Sequence, residues 1–440
     1  MISVKAFVEK NNLFLTENTV LRYVMFSVLY FAQGIPGGIT YYAIPAWLAM
    51  NNKTPMEIAS YSAVVLIPWS FKIIIAPLMD RYTILSMGRK RPWVIFGQLG
   101  LILSFLAIGL VPDPLNNLNG LMIVGFMISV FGCFQDVSTD GMAIDIVPIE
   151  EQARANGLMW GSKTIGSAMS MVIGTTLISI LGFSTAIPLI SIATAFIILA
   201  PICFRERPGE KIMPWTTGEP SQNSKNIQSE SWGEIIKSLY KVSILPSSLI
   251  LCVAFFIEGA MEGVIDTLLP IFTIQNLDWT DISFSQAFST TKVIGGIFGM
   301  LLGGILVDVY GEKRMLTIYL GAFVLLFGIM GLSSSLWRND IIIFGFILLY
   351  LLLSTFMAIS FFAAAMKLCW KTVAATQFTL YMTVSNIGNS IGNGLLGTLK
   401  SHLSWSNIFL LIATIPLLII VIIQFLNFTK HRRTIDAFIK

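Results

Sequence analysis

The chain alternates between long apolar runs and short polar stretches over its whole length. Apolar runs lie at roughly 21–50, 57–79, 93–112, 119–144, 154–182 and 184–204, and then at roughly 244–275, 283–307, 315–336, 341–365, 373–399 and 405–428. Each run is close to or above the ~20 residues that an α-helix needs to cross the hydrocarbon core of a bilayer. The pattern therefore predicts an all-α membrane protein with twelve transmembrane helices.

The segment 205–242 is the one long polar stretch between these runs, and it separates six of them from the other six. We predict an N-terminal six-helix half over 1–204, a cytoplasmic linker over 205–242 and a C-terminal six-helix half over 243–440. The middle of the linker is rich in Ser, Asn, Gln and Pro, which favours a flexible segment. Its end, SWGEIIKSLYK, predicts a short helix on the membrane surface.

Composition narrows the possible functions. Of the 440 residues, 55% are hydrophobic and 12% are charged, whereas soluble domains contain about 25% charged residues. No length remains for a soluble catalytic domain, and the sequence has no Walker lysine loop, HExxH motif or CxxC pair. We expect no enzyme, no cofactor and no metal site, and the small net charge of +4 predicts no nucleic-acid partner.

The positive charges indicate the orientation. Most of the 28 lysines and arginines lie in the two termini and in every second predicted loop. Cytoplasmic loops of membrane proteins carry an excess of these residues. We therefore expect both termini in the cytoplasm.

A charged turn follows the second predicted helix of each half. It reads PLMDRYTILSMGRKR at 77–91 and GGILVDVYGEKR at 303–314. Internal repeats of this kind are typical of secondary transporters, and the two turns resemble the major facilitator superfamily, in which such a turn is associated with gating. Asp80 and Asp308 are expected near the positive N-terminal ends of helices. The predicted gating residues are Asp80, Arg81, Arg89, Arg91, Asp145 and Asp308.

Charged residues inside the predicted helices form a first candidate site. An ionised residue at mid-bilayer costs about 2.5–3.5 kcal/mol, so each one needs a partner or a function. Asp136 and Asp140 lie one turn apart on the fourth helix, and Lys163 on the fifth helix is expected at the depth of Asp136. Lys72 is close enough in depth to complete the cluster. Either proton coupling or a structural salt bridge explains this arrangement.

A second acidic group lies on the seventh predicted helix. Glu258, Glu262 and Asp266 follow one another at intervals of four residues and share one face. Lys292 on the eighth helix is expected to pair with Glu262. Because both histidines are expected at membrane edges, proton coupling is assigned to Asp136, Asp140, Glu258 and Glu262, with Lys72, Lys163 and Lys292 as charge partners.

Polar residues on the first and eleventh helices suggest a substrate pathway. Pro36 interrupts the first helix near mid-span, where freed backbone must face protein or a water-filled cavity. The eleventh helix carries Thr, Ser and Asn on one face, which bind polar groups or join helices. The predicted substrate contacts are Gln33, Tyr41, Gln135, Gln377, Tyr381 and Asn386.

Three segments resemble the AmpG-type muropeptide permeases and their relatives, the acetyl-CoA transporters. They are FKIIIAPLMDRYTILSMGRKRPW (71–93), FQDVSTDGMAIDIVPIEEQARANGL (134–158) and MKLCWKTVAATQFTLYMTVSNIG (366–388). The acidic face of the seventh helix departs from the permeases, and QGIP in the first helix leans toward the acetyl-CoA transporters. The resemblance implies a bacterial inner-membrane protein that imports GlcNAc-anhydromuramyl peptides together with protons.

The sequence thus predicts a monomeric, proton-coupled secondary transporter whose partners are an amino-sugar peptide or similar small molecule, protons and the lipid bilayer. Two alternatives stay open. The same fold would serve acetyl-CoA or another anionic metabolite, with the buried lysines as anion ligands. A membrane sensor that transports nothing is the alternative of a different class.

Overall fold

The computed structural model describes residues 14–51, 53, 55–227, 231–279 and 281–439. Residues 228–230 of the predicted linker and residues 1–13 at the N-terminus lie outside this range. In the first half of the chain the helices are α1 (Thr19–Gly37), α2 (Ile44–Met50), α3 (Pro55–Ser70), α4 (Lys72–Arg81), α5 (Arg91–Ile108), α6 (Leu118–Ile146), α7 (Gln152–Leu181), α8 (Phe183–Ile197) and α9 (Leu199–Cys203).

Among the described residues, two helices lie in the polar segment and eight follow it. The first two are α10 (Gln222–Ile227) and α11 (Trp232–Ser243), and α11 coincides with the surface helix that the sequence predicts. The others are α12 (Pro246–Ile271), α13 (Asp281–Phe298), α14 (Gly304–Tyr310), α15 (Glu312–Leu332), α16 (Asp340–Leu368), α17 (Ala374–His402), α18 (Trp405–Ile423) and α19 (Phe428–Ile439).

Nine helical stretches within the described part of the chain are long and apolar enough to cross a membrane. They correspond to all the predicted spans except the first, second and eleventh. The first is divided by a π-helical turn at Gly38–Ala43 between α1 and α2, and the second breaks at Phe71 between α3 and α4. The eleventh, α17, is continuous but carries the polar face of threonine, serine and asparagine side chains.

The ends of several helices are fixed by polar side chains that precede them. The side chains of Asn18, Asn117 and Ser404 accept hydrogen bonds from backbone N–H groups in the first turns of α1, α6 and α18 at 2.9, 3.0 and 3.3 Å. Such caps satisfy N–H groups that have no partner within the helix. Gly311 joins α14 to α15 with φ of 84°, a conformation that glycine adopts without the steric cost of a Cβ atom.

The chain packs into two compact units. The first consists of Met1–Pro148, Ser162–Ser238 and Lys371–Thr379, and the second of Ile149–Gly161, Leu239–Trp370 and Leu380–Lys440. The first unit thus includes the start of α17, and the second includes the start of α7. The boundaries predicted from the sequence, 1–204, 205–242 and 243–440, stay a prediction about domains.

Aromatic rings occupy the interior of each unit. In the first unit, Trp47 stacks on Phe183 with ring centres 4.0 Å apart. In the second unit, Phe272 meets Trp337 and Phe409 edge to face at 5.0 and 5.2 Å. Edge-to-face pairs at this distance are favourable because the positive ring edge meets the negative face. These packed interiors hold the helices that carry the charged residues described next.

Candidate functional site

The first group of buried charges centres on Asp136, in the middle of α6. Its carboxylate lies 3.2 Å from the ammonium of Lys72, the first residue of α4, and 3.6 Å from the ammonium of Lys163 on α7. Asp136 and Lys72 are each 1% exposed, whereas Lys163 is 23% exposed. The structure therefore brings together the three residues that the sequence places at similar depth. One carboxylate is shared by two cations.

Asp140, one turn after Asp136, has a different partner. It accepts a hydrogen bond from the hydroxyl of Tyr30 on α1. The ring of Tyr30 also lies 5.8 Å from the ammonium of Lys163, within the range of a cation–π interaction. Tyr30 thus links Asp140 to Lys163, the cation beside Asp136. Tyr30 is not among the site residues predicted from the sequence.

Three predicted substrate contacts lie in the first unit beside this cluster. Gln135 donates through Nε2 to the carbonyl oxygen of Leu29 at 2.8 Å, and the hydroxyl of Tyr41 lies 3.4 Å from that of Ser129. Gln33 is buried, and neither amide atom of its side chain has a hydrogen-bond partner among the described residues. Because buried amides are almost always bonded, Gln33 is the strongest candidate of the three for a ligand contact.

The turn after α4 forms the second group of charges, around Asp80. Its Oδ1 atom lies 2.6 Å from the ammonium of Lys90 and 3.7 Å from the guanidinium of Arg89. Its Oδ2 atom accepts hydrogen bonds from the backbone N–H and the hydroxyl of Thr376, at 3.0 and 2.7 Å. Thr376 lies in the first turn of α17, where the helix dipole favours a negative charge. Asp80 therefore binds the N-terminal end of a helix, as the sequence led us to expect.

Arg89 and Asp145 extend this group to the end of α6. The guanidinium of Arg89 lies 3.4 Å from the carboxylate of Asp145, and it donates to the carbonyl oxygens of Lys371 and Thr372 at 2.7 and 2.9 Å. Arg207, in the predicted linker, lies 3.6 Å from the same carboxylate. Asp145 thus lies between a cation of the turn and a cation of the linker.

Glu206 caps the N-terminal end of α5. Its carboxylate accepts hydrogen bonds from the backbone N–H groups of Arg89, Lys90 and Arg91 at 2.9, 2.9 and 2.7 Å. The turn approaches so closely that a Cβ atom on Gly88, whose φ is 109°, would lie 2.7 Å from the carboxyl carbon of Glu206. Glu206 is not apparent from the sequence, because the linker is polar by composition and is predicted to be flexible in its middle.

The linker contributes a second buried carboxyl, Glu210. Its Oε2 atom accepts a hydrogen bond from the backbone N–H of Arg207 at 3.0 Å. Burial and the nearby negative charge of Glu206 raise the pKa of Glu210 to about 8, although Arg207 and Arg91 oppose the rise. At neutral pH this carboxyl is therefore largely protonated.

Two predicted gating arginines interact with carbonyl oxygens and rings. Arg91 donates to the carbonyl oxygens of Met87 and Pro201 at 2.8 and 3.2 Å. The guanidinium of Arg81 lies over the rings of Tyr82 and Trp232, at 5.1 and 5.4 Å from their centres. Arg91 thereby joins the start of α5 to the end of α9, and Arg81 contacts the surface helix α11.

The second unit contains its own charged turn. Asp308 on α14 lies 3.1 Å from the guanidinium of Arg154 in the first turn of α7. Glu312, at the start of α15, lies 2.9 Å from the ammonium of Lys367. The arrangement repeats that of Asp80, because an aspartate from the end of one helix again meets the beginning of another.

The acidic face of α12 runs from the interior to the surface of the second unit. Glu258 is 8% exposed and accepts a hydrogen bond from the hydroxyl of Ser385 at 3.3 Å, whereas Asp266 is exposed. Lys292 on α13 interacts electrostatically with Glu262 and Asp266, and its ammonium lies 4.8 Å from the centre of the Phe288 ring. The expected pairing partners are thus close in space.

The remaining predicted substrate contacts lie on α17. Gln377 is buried in the first unit. In the second unit, the hydroxyl of Tyr381 donates to that of Ser248 at 3.1 Å, and its ring stacks on Phe255 with centres 6.1 Å apart. Asn386 lines a cavity of about 150 Å³ that Glu258 and Glu262 also line. The described part of the chain contains no group of three His, Cys, Asp or Glu side chains that could hold a metal ion.

Comparison with known proteins identifies similar chains. The sequence model of the Major Facilitator Superfamily matches residues 26–393. The chain is 25% identical to the anhydromuropeptide permease of Escherichia coli strain K12 over 430 residues, which cover 93% of this chain and 81% of the permease. It is 24% identical to putative transporter AmpG 3 of Rickettsia prowazekii, with 92% of this chain and 96% of that protein covered.

Solved structures agree with the fold. The crystal structure of a Major Facilitator Superfamily transporter, FucP, in the outward conformation matches with a TM-score of 0.66 and 14% sequence identity, and the match covers 92% of this chain and 98% of the other. At this identity the likeness concerns the fold alone. The predicted twelve-helix fold is thereby confirmed.

Proposed function

The chain belongs to the Major Facilitator Superfamily, and from this premise we propose that it imports anhydromuropeptides together with protons by alternating access. It is an integral membrane transporter. Two relatives that match over most of its length are named as an anhydromuropeptide permease and an AmpG transporter. The observation that carries the proton-coupling part is the cluster of Lys72, Asp136 and Lys163 with the neighbouring Asp140.

The two carboxylates of this cluster have different partners, and this difference supports proton coupling. Asp136 is held by two ammonium groups, at 3.2 and 3.6 Å, whereas the partner of Asp140 is the uncharged hydroxyl of Tyr30. A proton bound by the pair of carboxylates weakens their attraction for Lys72 and Lys163. Because a buried ion pair that loses one charge leaves the other charge uncompensated, protonation favours a rearrangement of the helices. Glu262, whose electrostatic partner is Lys292, is a further candidate for proton binding.

The gating role of the charged turns is also part of the proposal. Asp80 bound to Thr376 and Asp308 bound to Arg154 would hold helix ends together on the cytoplasmic side until transport requires them to separate. Arg81, Arg89, Arg91 and Asp145 support the turn of Asp80. This assignment assumes that both termini lie in the cytoplasm of a bacterial inner membrane.

The amide of Gln33 supports a polar substrate. A buried amide without a hydrogen-bond partner among the described residues is costly unless water or a ligand satisfies it. Sugar hydroxyls and peptide amides have the donors and acceptors to do so. Tyr41, Gln135, Gln377, Tyr381 and Asn386 complete the proposed substrate contacts, and the transporter would act as a monomer without a cofactor.

The alternatives receive less support. An anionic substrate such as acetyl-CoA needs cations, yet Lys72 and Lys163 are already engaged by Asp136. A sensor that transports nothing has no need of the charged turns at 77–91 and 303–314, whose aspartates contact the starts of α17 and α7. Neither alternative matches the names of the relatives described above.

Uptake by purified protein in sealed lipid vesicles tests the proposal. With a pH gradient, acidic outside, we expect the wild type to accumulate a radiolabelled GlcNAc-anhydromuramyl peptide above the external concentration. Asp136→Asn should abolish accumulation and keep exchange of labelled for unlabelled substrate. Asp113→Asn is a matched control, because Asp113 is exposed in a loop with a φ of 43° that asparagine tolerates well.

Two results would contradict the proposal. Normal uphill accumulation by Asp136→Asn would remove Asp136 from the coupling mechanism. Transport of acetyl-CoA without transport of the anhydromuropeptide would overturn the substrate assignment.

A further inference from the structure

The second unit contains a cavity of about 150 Å³ that combines aromatic walls with carboxylates. All of its lining residues belong to this unit. This volume is well above the ~10–15 Å³ that one water molecule needs on the same measure. The cavity can therefore hold a small end group of a substrate. The residues that carry the argument are Trp160, Phe255, Phe362, Glu258, Glu262 and Ser385.

Three aromatic rings form one wall of the cavity. Trp160 and Phe362 stack, with ring centres 4.8 Å apart and planes inclined by 4°, and Phe255 lies 5.8 Å from Phe362 with planes inclined by 38°. The faces of such rings carry partial negative charge and attract cations, ammonium groups among them, and tryptophan does so most strongly. The wall therefore favours a cationic guest over an anionic one.

Glu258 places a carboxyl group at the same cavity. It is 8% exposed, and among the described residues its side chain has one hydrogen bond, from Ser385 to Oε2 at 3.3 Å. Its Oε1 atom receives no hydrogen bond from the described residues. Glu262, one turn later, differs because Lys292 interacts with it electrostatically. Glu258 is thus the carboxylate of the cavity that most needs a cation.

The contrast with Asp136 separates the two sites. Asp136 already has Lys72 and Lys163 within 4 Å, so a cationic ligand has little to gain there. Glu258 has an aromatic surround and a single weak hydrogen bond instead. The buried carboxyl groups of the two units are therefore suited to different tasks.

We propose that this cavity binds an ammonium group of the transported molecule, with Glu258 as its counter-ion and Trp160 as its aromatic contact. The inference rests on the proposed function, since it assigns one part of the anhydromuropeptide, an amino group on its peptide, to this cavity. It makes the cavity a determinant of specificity and gives Glu258 a role other than proton transfer.

Uptake of two substrates that differ in one group tests this assignment. They are anhydromuropeptides that are identical except that one has a free amino group on its peptide and the other has that amine acetylated. We expect the wild type to transport the free amine with at least tenfold higher kcat/KM. Glu258→Gln should lower uptake of the free amine at least tenfold and leave that of the acetylated form within twofold.

Two further variants keep the test clear. Trp160→Leu should weaken the apparent affinity for the free amine alone. Asp436→Asn changes an exposed carboxylate on α19 of the same unit that does not line the cavity, and it should leave both substrates unaffected. If Glu258→Gln misfolds, Ser385→Ala and Trp160→Leu still report whether the loss is confined to the free amine.

Each outcome has one meaning. Equal loss of both substrates in Glu258→Gln would overturn the ammonium site and favour proton coupling at Glu258. Equal uptake of both substrates by the wild type would also overturn it, while leaving the proposed function intact. Failure of the wild type to transport either substrate would instead contradict the proposed function.

Discussion

The carboxylate of Asp80 accepts two hydrogen bonds from Thr376, one from the backbone N–H at 3.0 Å and one from the hydroxyl at 2.7 Å. The two residues are far apart in sequence, and both are buried. The other carboxylate oxygen faces Lys90 and Arg89. Asp80 therefore serves at once as the counter-ion of a basic turn and as a cap of α17.

Substitution of Asp80 should lower the stability of the protein more than substitution of Thr376. Thr376→Val removes one hydroxyl hydrogen bond and should cost about 1 kcal/mol of stability. Asp80→Asn leaves the buried Lys90 without its paired carboxylate and Arg89 with Asp145 alone, and it should cost about 3–5 kcal/mol. The midpoint of thermal unfolding in detergent should fall in that order, with Thr414→Val, at an exposed position on α18, unchanged. Equal midpoints for Thr376→Val and Asp80→Asn would contradict the counter-ion role.

The shared carboxylate of Asp136 predicts unequal roles for its two lysines. Lys72 is 1% exposed and Lys163 is 23% exposed, so Lys72 depends more on the pairing. Lys72→Met should destabilise the protein by about 3 kcal/mol because it removes the closer counter-ion of a buried carboxylate, and Lys163→Met by less.

A double-mutant cycle checks this coupling. Lys72→Met combined with Asp136→Asn should cost less than the sum of the two single substitutions, because the double variant leaves neither charge buried alone. If the double variant loses as much unfolding free energy as the two single variants together, the two side chains are energetically independent.

Glu206 should be essential for the start of α5. Glu206→Ala deprives three backbone N–H groups of their acceptor and should cost about 3 kcal/mol, since each unsatisfied buried donor carries a penalty of about 1–3 kcal/mol. Glu206→Gln keeps one acceptor oxygen and should lose less. Glu219→Ala, at an exposed position of the same segment, is the control and should have the midpoint of the wild type.

The protonated state of Glu210 predicts a pH dependence of stability. The pKa of its carboxyl is about 8 in the folded protein and near the ordinary 4.5 when unfolded. Between these values the folded state binds more protons than the unfolded state, so this group's contribution to stability is present at low pH and is lost as the pH rises toward 8. The midpoint of thermal unfolding, measured from pH 5 to 9, should fall less steeply with rising pH for Glu210→Gln than for the wild type. The same slope in both proteins would show that another group titrates.

Some of this site could be predicted from the sequence because regular helices have a fixed rise. The depths of Asp136, Lys163 and Lys72 follow from counting residues from the helix ends, and the three side chains meet as expected. The proximity of Lys292 to Glu262 follows from the same count. The break of the first span was likewise visible in the proline and glycines around Pro36.

Other contacts depend on rotation and tertiary packing, which residue counting does not give. Tyr30 meets Asp140 because α1 presents that side of its surface to α6, and an isolated tyrosine in an apolar run carries no sign of it. Glu206 was missed because a polar segment after the sixth span reads as linker, although its first residues are buried. The stack of Trp160 on Phe362 joins residues about 200 positions apart and has no local signature.

The attachment of Glu206 to the start of α5 has a consequence for dividing the chain into two separately produced fragments. A cut at residue 204, where hydropathy suggests the first half ends, would leave α5 without its carboxylate cap and Asp145 without Arg207. A cut after the exposed Glu219 keeps both with the first fragment. Co-expressed fragments should therefore reassemble when divided at the second position and fail when divided at the first.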